Sequence, residues 1–153
     1  MTSGLFSSST DDWATPLDFY QKLDEEFHFD LDPSASDQNH KCKKYFTAKD
    51  DGLKQSWEGH CVFCNPPYGR MIGKWVEKAY RTNEEFGNTI VMLLPARTDT
   101  KWFHDFIYHK AEIRFVRGRL KFGNSNNSAP FPSMVVVYRG KEQVEPNAEN
   151  KAS

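Results

Sequence analysis

"NTIVMLLPA", residues 88–96, decides the fold. Its apolar run is nearly continuous, without the polar alternation of a strand that has one wet face. Such a run predicts a strand buried on both faces of a parallel sheet. Upstream, "HCVFC" (60–64) reads as a second strand, leading directly into Asn65-Pro66-Pro67-Tyr68. Between the two, Ile72, Trp75, Val76 and Ala79 recur along one face of a helix over about 70–86. Downstream, Trp102, Phe103, Phe106 and Ile107 mark another amphipathic helix. "EIRFVRGRLKFG" (112–123) predicts a hairpin turning at Arg117–Arg119, and "SMVVVY" (133–138) a last strand.

The first part of the chain follows the same alternation. In "WATPLDFYQKLDEEF" (13–27), Thr15 suits an N-cap, Pro16 the first helical position, and Asp18 completes a capping-box pattern. Tyr20, Leu23 and Phe27 then recur at helical spacing. "FHFDLDP" (27–33) alternates Phe27, Phe29 and Leu31 with polar residues, predicting a short strand that ends at Asp32-Pro33. "KKYFT" (43–47) predicts a further short strand, followed by the turn "KDDG" (49–52). Strands alternating with helices give an open α/β sheet, whose ligands sit at the carboxyl ends of strands. Asp32-Pro33 and Asn65 to Tyr68 both fall there.

Composition sets the limits of the reading. The 153 residues are read as one domain over 11–140, with flexible ends at 1–10 and 141–153. No apolar run approaches the roughly 18 residues of a membrane span, and the first residues lack a signal-peptide pattern. A soluble, cytoplasmic chain with no membrane partner is expected. Cys42, Cys61 and Cys64 make an odd count, which argues against a disulfide framework. Cys61 and Cys64 are three apart on a strand and face opposite ways, so buried reduced thiols are expected rather than a metal site. The net charge of −1 hides an asymmetry: residues 11–37 hold nine acids and one lysine, residues 38–121 sixteen cations and nine acids. That second segment offers a positive face to a polyanion.

Asn65 to Tyr68 is by itself either a turn or a catalytic loop. Pro66 and Pro67 stiffen it and remove two backbone donors. The Pro66 carbonyl and the Asn65 amide oxygen are then two acceptors able to take both hydrogens of a planar amino group. Holding them favours a pyramidal nitrogen with a concentrated lone pair, which is electrostatic preorganisation toward a transition state. Tyr68 offers a ring for stacking on a base.

Asn-Pro-Pro-Tyr after an apolar strand resembles the catalytic motif of amino-group methyltransferases that use S-adenosylmethionine. More narrowly, "DDWATP", "FDLDPSAS", "KDDGLKQSW", "CNPPYG", "LLPARTDTKWF" and "RGRLKFG" occur in an order that resembles the small phage-type DNA N6-adenine methyltransferases. The likeness spans residues 11–138. It implies a Rossmann-like methyltransferase sheet, mostly parallel with a C-terminal antiparallel hairpin and helices on both faces. It implies that Asn65, Pro66, Pro67 and Tyr68 hold the target base. Trp13 and Thr15 would lie beside the methyl donor, Asp32 and Pro33 near its methionine moiety, and Asp50 or Asp51 at its ribose or adenine. Where such enzymes carry a Gly-rich turn after the first strand, this chain has "DPSASDQN" (32–39), with small Ser34, Ala35 and Ser36.

The activity implied is methyl transfer from S-adenosylmethionine to N6 of adenine in double-stranded DNA, inside a bacterial host cell. The target base would be flipped out of the helix. Arg97, Arg117, Arg119 and Lys121 are the expected phosphate contacts. A chain this short leaves target recognition to "GNSNNSAPFP" (123–132) and the Arg-rich segment, or to a second subunit in a homodimer. The alternatives are methylation of a protein glutamine, whose side chain is also a planar amide, and a silent DNA-binding module on the same fold.

Overall fold

A computed structural model describes residues 13–123 and 128–141. The ends expected to be flexible, Asp11, Asp12 and residues 124–127 of the long loop lie outside the described residues, apart from Lys141. Six strands form one mixed sheet: β1 (Leu31–Asp32), β2 (Lys44–Tyr45), β3 (Val62–Cys64), β4 (Ile90–Pro95), β5 (Glu112–Phe115) and β6 (Ser133–Tyr138). Their order is β2-β1-β3-β4-β6-β5. The three pairings among β2, β1, β3 and β4 are parallel. β6 runs antiparallel to both of its neighbours, β4 and β5. The expected run 90–95 is therefore the hinge of the sheet, parallel on one side and antiparallel on the other. Its residues from Ile90 to Leu94 are wholly buried, each worth about 1.5–3 kcal/mol on leaving water.

Helices cover both faces. On β3, Phe63 packs edge-on against Tyr20 of α1 (Leu17–Phe27), with ring centroids 5.1 Å apart. Side chains alternate along strands, and the register pairs Phe63 with Val91, so Ile90 and its partner Tyr138 face the other way. There Tyr138 meets Tyr80 of α2 (Ile72–Phe86) at 6.2 Å. Phe106, the last residue of α3 (Lys101–Phe106), joins them at 5.7 Å from Tyr80. The α2 residues Ile72, Trp75, Val76 and Ala79 are buried as their spacing predicts, and Gly87 ends the helix in the left-handed region. Thr100 caps α3, its hydroxyl accepting from the Phe103 amide at 3.2 Å.

Three local expectations need correction. Pro16, not Thr15, is the N-cap of α1, without a side-chain cap; the Thr15 hydroxyl is engaged elsewhere. The alternation of "FHFDLDP" is not one strand. Phe27 closes α1, and His28 takes a left-handed φ of 59° with its amide bonded to the Asp24 carbonyl at 2.8 Å. Phe27 and Phe29 alternate because both join the aromatic cluster with Tyr20 and Phe63, and only Leu31 and Asp32 pair in the sheet. The hairpin predicted at Arg117–Arg119 does not form either. β5 ends at Phe115 and pairs with β6, whose six buried residues offer the longer ladder. Gly118 does turn the chain, at φ 75°, but Leu120 and Phe122 pack inward: the Leu120 carbonyl accepts from Ala129 and the Ala14 carbonyl from Gly123, both at 2.8 Å.

Candidate active site

The sheet reverses its order of growth between β1 and β3, because β2 was added on one side of β1 and β3 on the other. At such a switch point the connections leave in opposite directions and open a crevice at the carboxyl ends of the strands. Asp32 ends β1 and Asn65 follows β3 immediately. Between them lies a cavity of about 740 Å³, with Trp13, Thr15, Asp32, Pro33, Gly52 and Asn65 in its wall. Such a volume suits a molecule of cofactor size.

Asn65 carries the most specific feature. Its Nδ2 donates to the Trp13 carbonyl oxygen and, at 2.9 Å, to Thr15 Oγ1. A carbonyl oxygen only accepts, so the amide nitrogen must face it and the orientation of the side chain follows. Oδ1 is then buried and without a hydrogen-bond partner in the protein. An orphaned buried acceptor costs about 1–3 kcal/mol. A ligand that brings an N–H would recover that cost, once a small movement opens the buried oxygen to the cavity.

At the other strand end, Asp32 is buried, and its carboxylate is anchored by the backbone. Its Oδ1 accepts from the Ser34 amide at 3.3 Å and Oδ2 from the Lys41 amide at 2.9 Å. Burial raises its pKa, opposed by those amides and by the Lys41 charge. Ser34, Ala35 and Ser36 line the cavity where the Gly-rich turn was missing. The glycine function has moved to Gly52, at the start of a 3₁₀ turn (Gly52–Lys54). A Cβ there would lie 2.1 Å from the Pro33 carbonyl oxygen and 3.0 Å from the Trp75 ring. Only glycine lets these two loops approach so closely. Trp57 Nε1 fastens the turn by donating to the Gly52 carbonyl at 2.9 Å.

The other expected site residues divide. Trp13, Thr15, Asp32, Pro33, Asn65 and Pro67 share the cavity, whereas Pro66 and Tyr68 lie buried behind its wall. The Tyr68 hydroxyl donates to the Leu93 carbonyl at 2.9 Å, and its ring meets Phe131 and Phe122 edge-on at 5.6 and 6.3 Å. Burial holds its phenol well above its ordinary pKa. Of the two aspartates in the turn, Asp51 lines the cavity and Asp50 does not. Asp50 accepts from the Thr47 amide and hydroxyl at 2.9 and 3.2 Å.

Arg97, Arg117, Arg119 and Lys121 are exposed; Arg119 spends one donor on the Ala129 carbonyl at 3.3 Å. Sequence reasoning missed Lys41, Gly52, Phe63, Met71 and Trp75 in the cavity wall. Only Gly52, in "KDDG", carried a signal. Cys61 immediately precedes β3 and is only half-buried, its Sγ donating to the Phe27 carbonyl at 3.3 Å, whereas Cys42 and Cys64 are buried as expected, and all three are free thiols. Burial pushes the Cys42 and Cys61 thiols up to about 11. Among the described residues no group of three His, Cys, Asp or Glu side chains is arranged to hold a metal ion. Nor is any described helix long and apolar enough to cross a membrane.

Residues 2–151 match the family described as "DNA N-6-adenine-methyltransferase (Dam)". A "DNA N-6-adenine-methyltransferase" of Haemophilus phage HP1 (strain HP1c1) is 30% identical over 142 residues, covering 88% of this chain and 82% of the relative. One of Escherichia phage T1 is 31% identical over 143 residues, covering 92% of this chain and 59% of the relative.

Proposed function

The chain belongs to the DNA N-6-adenine-methyltransferase (Dam) family, and from that premise we propose that it methylates N6 of adenine in double-stranded DNA with S-adenosylmethionine as donor. The observation that carries this reading is the orphaned Asn65 Oδ1 at the carboxyl end of β3. Its surroundings call for a donor hydrogen, and an exocyclic amine supplies one.

The residues present fit the proposed methyl donor. Asp32 and Asp51 offer carboxylates to an ammonium group or ribose hydroxyls, and Lys41 a cation to a carboxylate. Trp75 and Met71 give apolar surface to a ring, and the close approach at Gly52 keeps the cradle open. When bound, the donor supplies an electrophilic methyl group on a sulfonium sulfur. Asn65 Oδ1 accepts one hydrogen of the adenine amine, and the Pro66 carbonyl, with no donor on Pro67 to compete, accepts the other once a shift of the loop brings Pro66, buried behind the cavity wall, to the ligand. Nitrogen then becomes pyramidal and its lone pair is aimed into the cavity. Such fixed acceptors favour the positive charge that develops on the nitrogen as it attacks. Positioning supplies much of the remaining acceleration.

Reaching N6 requires the base to leave the duplex. Exposed Arg97, Arg117, Arg119 and Lys121 give the surface that grips phosphates. The Tyr68, Phe122 and Phe131 rings pack against one another behind the cavity wall, and a flipped base would stack on Tyr68 after a local rearrangement. The test is incubation with labelled S-adenosylmethionine and unmethylated duplex DNA, followed by nucleoside analysis. N6-methyladenine is expected. Label found only on protein would exclude this reading in favour of glutamine methylation.

A further inference from the structure

We propose that Thr15 and the Trp13 carbonyl form a clamp that sets the Asn65 amide, making Thr15 a positioning residue for methyl transfer. The inference rests on reading Asn65 as the acceptor for the target amine. A terminal amide has two faces of nearly equal shape, and its Cγ torsion is broad. Without a fixed partner, Asn65 would present its NH₂ to the cavity as readily as its oxygen. An NH₂ there would repel an incoming amine hydrogen.

The clamp removes that ambiguity in two steps: the carbonyl fixes which end of the amide faces it, and the hydroxyl holds the second hydrogen so that the side chain cannot swing away. One amide hydrogen goes to the Trp13 carbonyl, which cannot donate, and the other to Thr15 Oγ1 at 2.9 Å. Thr15 is itself 5% exposed, so its hydroxyl is held among protein atoms with little surface left to solvent. The segment from Trp13 to Thr15 is in turn pinned: Gly123 donates to the Ala14 carbonyl at 2.8 Å, and the Trp13 ring lies edge-on to Phe122 and Phe131 at 5.6 and 5.3 Å. This accounts for the Thr15 hydroxyl not capping α1. It is turned toward β3, fifty residues away in sequence.

Thr15→Val keeps the shape and removes the acceptor; Thr15→Ser keeps the acceptor. In wild type, both Asn65 side-chain amide protons should be downfield-shifted and slow to exchange in a ¹⁵N-resolved spectrum. Thr15→Val should move one of them upfield and speed its exchange, and Thr15→Ser should restore it. At saturating donor, single-turnover methylation should fall roughly 10- to 100-fold in Thr15→Val, with melting temperature nearly unchanged, and recover in Thr15→Ser. Thr15→Ala removes the same acceptor with less bulk if the valine variant fails to fold. An unchanged amide spectrum, or a loss that appears wholly as weaker donor binding, would overturn the clamp. Wild type that makes no N6-methyladenine would refute the functional reading instead, and the spectra would still judge the clamp.

Discussion

Asn65→Asp separates the sequence-level view of this site from the structural one. As a motif, Asn65 is simply an acceptor, and a carboxylate at the same distance should serve almost as well. The geometry reverses that expectation. In the wild type the Asn65 nitrogen donates to the Trp13 carbonyl and to Thr15 Oγ1. In the variant, a carboxylate oxygen would take the place of that nitrogen, facing a carbonyl that can only accept. The Thr15 hydroxyl can rotate to donate, so one of the two hydrogen bonds survives. The other becomes an approach of two partial negative charges in a partly buried site. A broken hydrogen bond of about 0.5–1.5 kcal/mol, added to a buried unsatisfied acceptor at about 1–3 kcal/mol, gives roughly 1.5–4.5 kcal/mol, or about 10- to 2,000-fold in rate.

The pH dependence gives the sharper check. Burial and the facing carbonyl both disfavour the charged form, so the pKa of an aspartate at position 65 is raised above its ordinary value of about 3.9. The protonated acid can donate to the Trp13 carbonyl and leave its other oxygen for the amine. The competent form therefore fills as pH falls through the raised pKa and is lost as pH rises through it. Single-turnover rates of variant over wild type, measured from alkaline to mildly acidic buffer, should climb with acidity. A ratio near unity at neutral pH, or one flat across the range, would refute the reasoning.

Asp32→Ala should weaken donor binding by about 1.5–3 kcal/mol, the worth of a charge-assisted hydrogen bond; calorimetry on the folded variant checks it. Gly52→Ala puts a Cβ 2.1 Å from the Pro33 carbonyl oxygen, so the loops must part, and both melting temperature and donor affinity should fall together. Arg117→Ala with Arg119→Ala should flatten the salt dependence of DNA binding, by about 0.9 in slope for each phosphate no longer neutralised. An identical slope in titrations of variant and wild type would remove that loop from the DNA surface.

The sheet and its two faces were legible because burial writes itself locally. Ile90 to Leu94 are apolar without interruption because both faces of β4 are covered, and α2 shows its stripe because only one side is. The mistakes came where a local pattern had a nonlocal cause. Phe27, Phe29 and Leu31 alternate, yet the first closes a helix and the second fills an aromatic cluster. "RGRLKFG" looks like half a hairpin, but β6 was the better partner and Phe122 was needed against Trp13 and Tyr68.

The candidate site divides along the same line. Asp32 and Asn65 were readable because a strand end followed by proline is a local signal, and parallel strands bring their ends together by topology alone. Thr15 was readable only as a helix cap, the role such a residue fills when nothing else reaches it. What reached it was the amide of Asn65, and that hydrogen bond exists only once α1 and β3 have docked. The acceptor offered to a ligand is thus a consequence of tertiary assembly: the motif supplies the atom, while the chain fifty residues earlier decides which way it points.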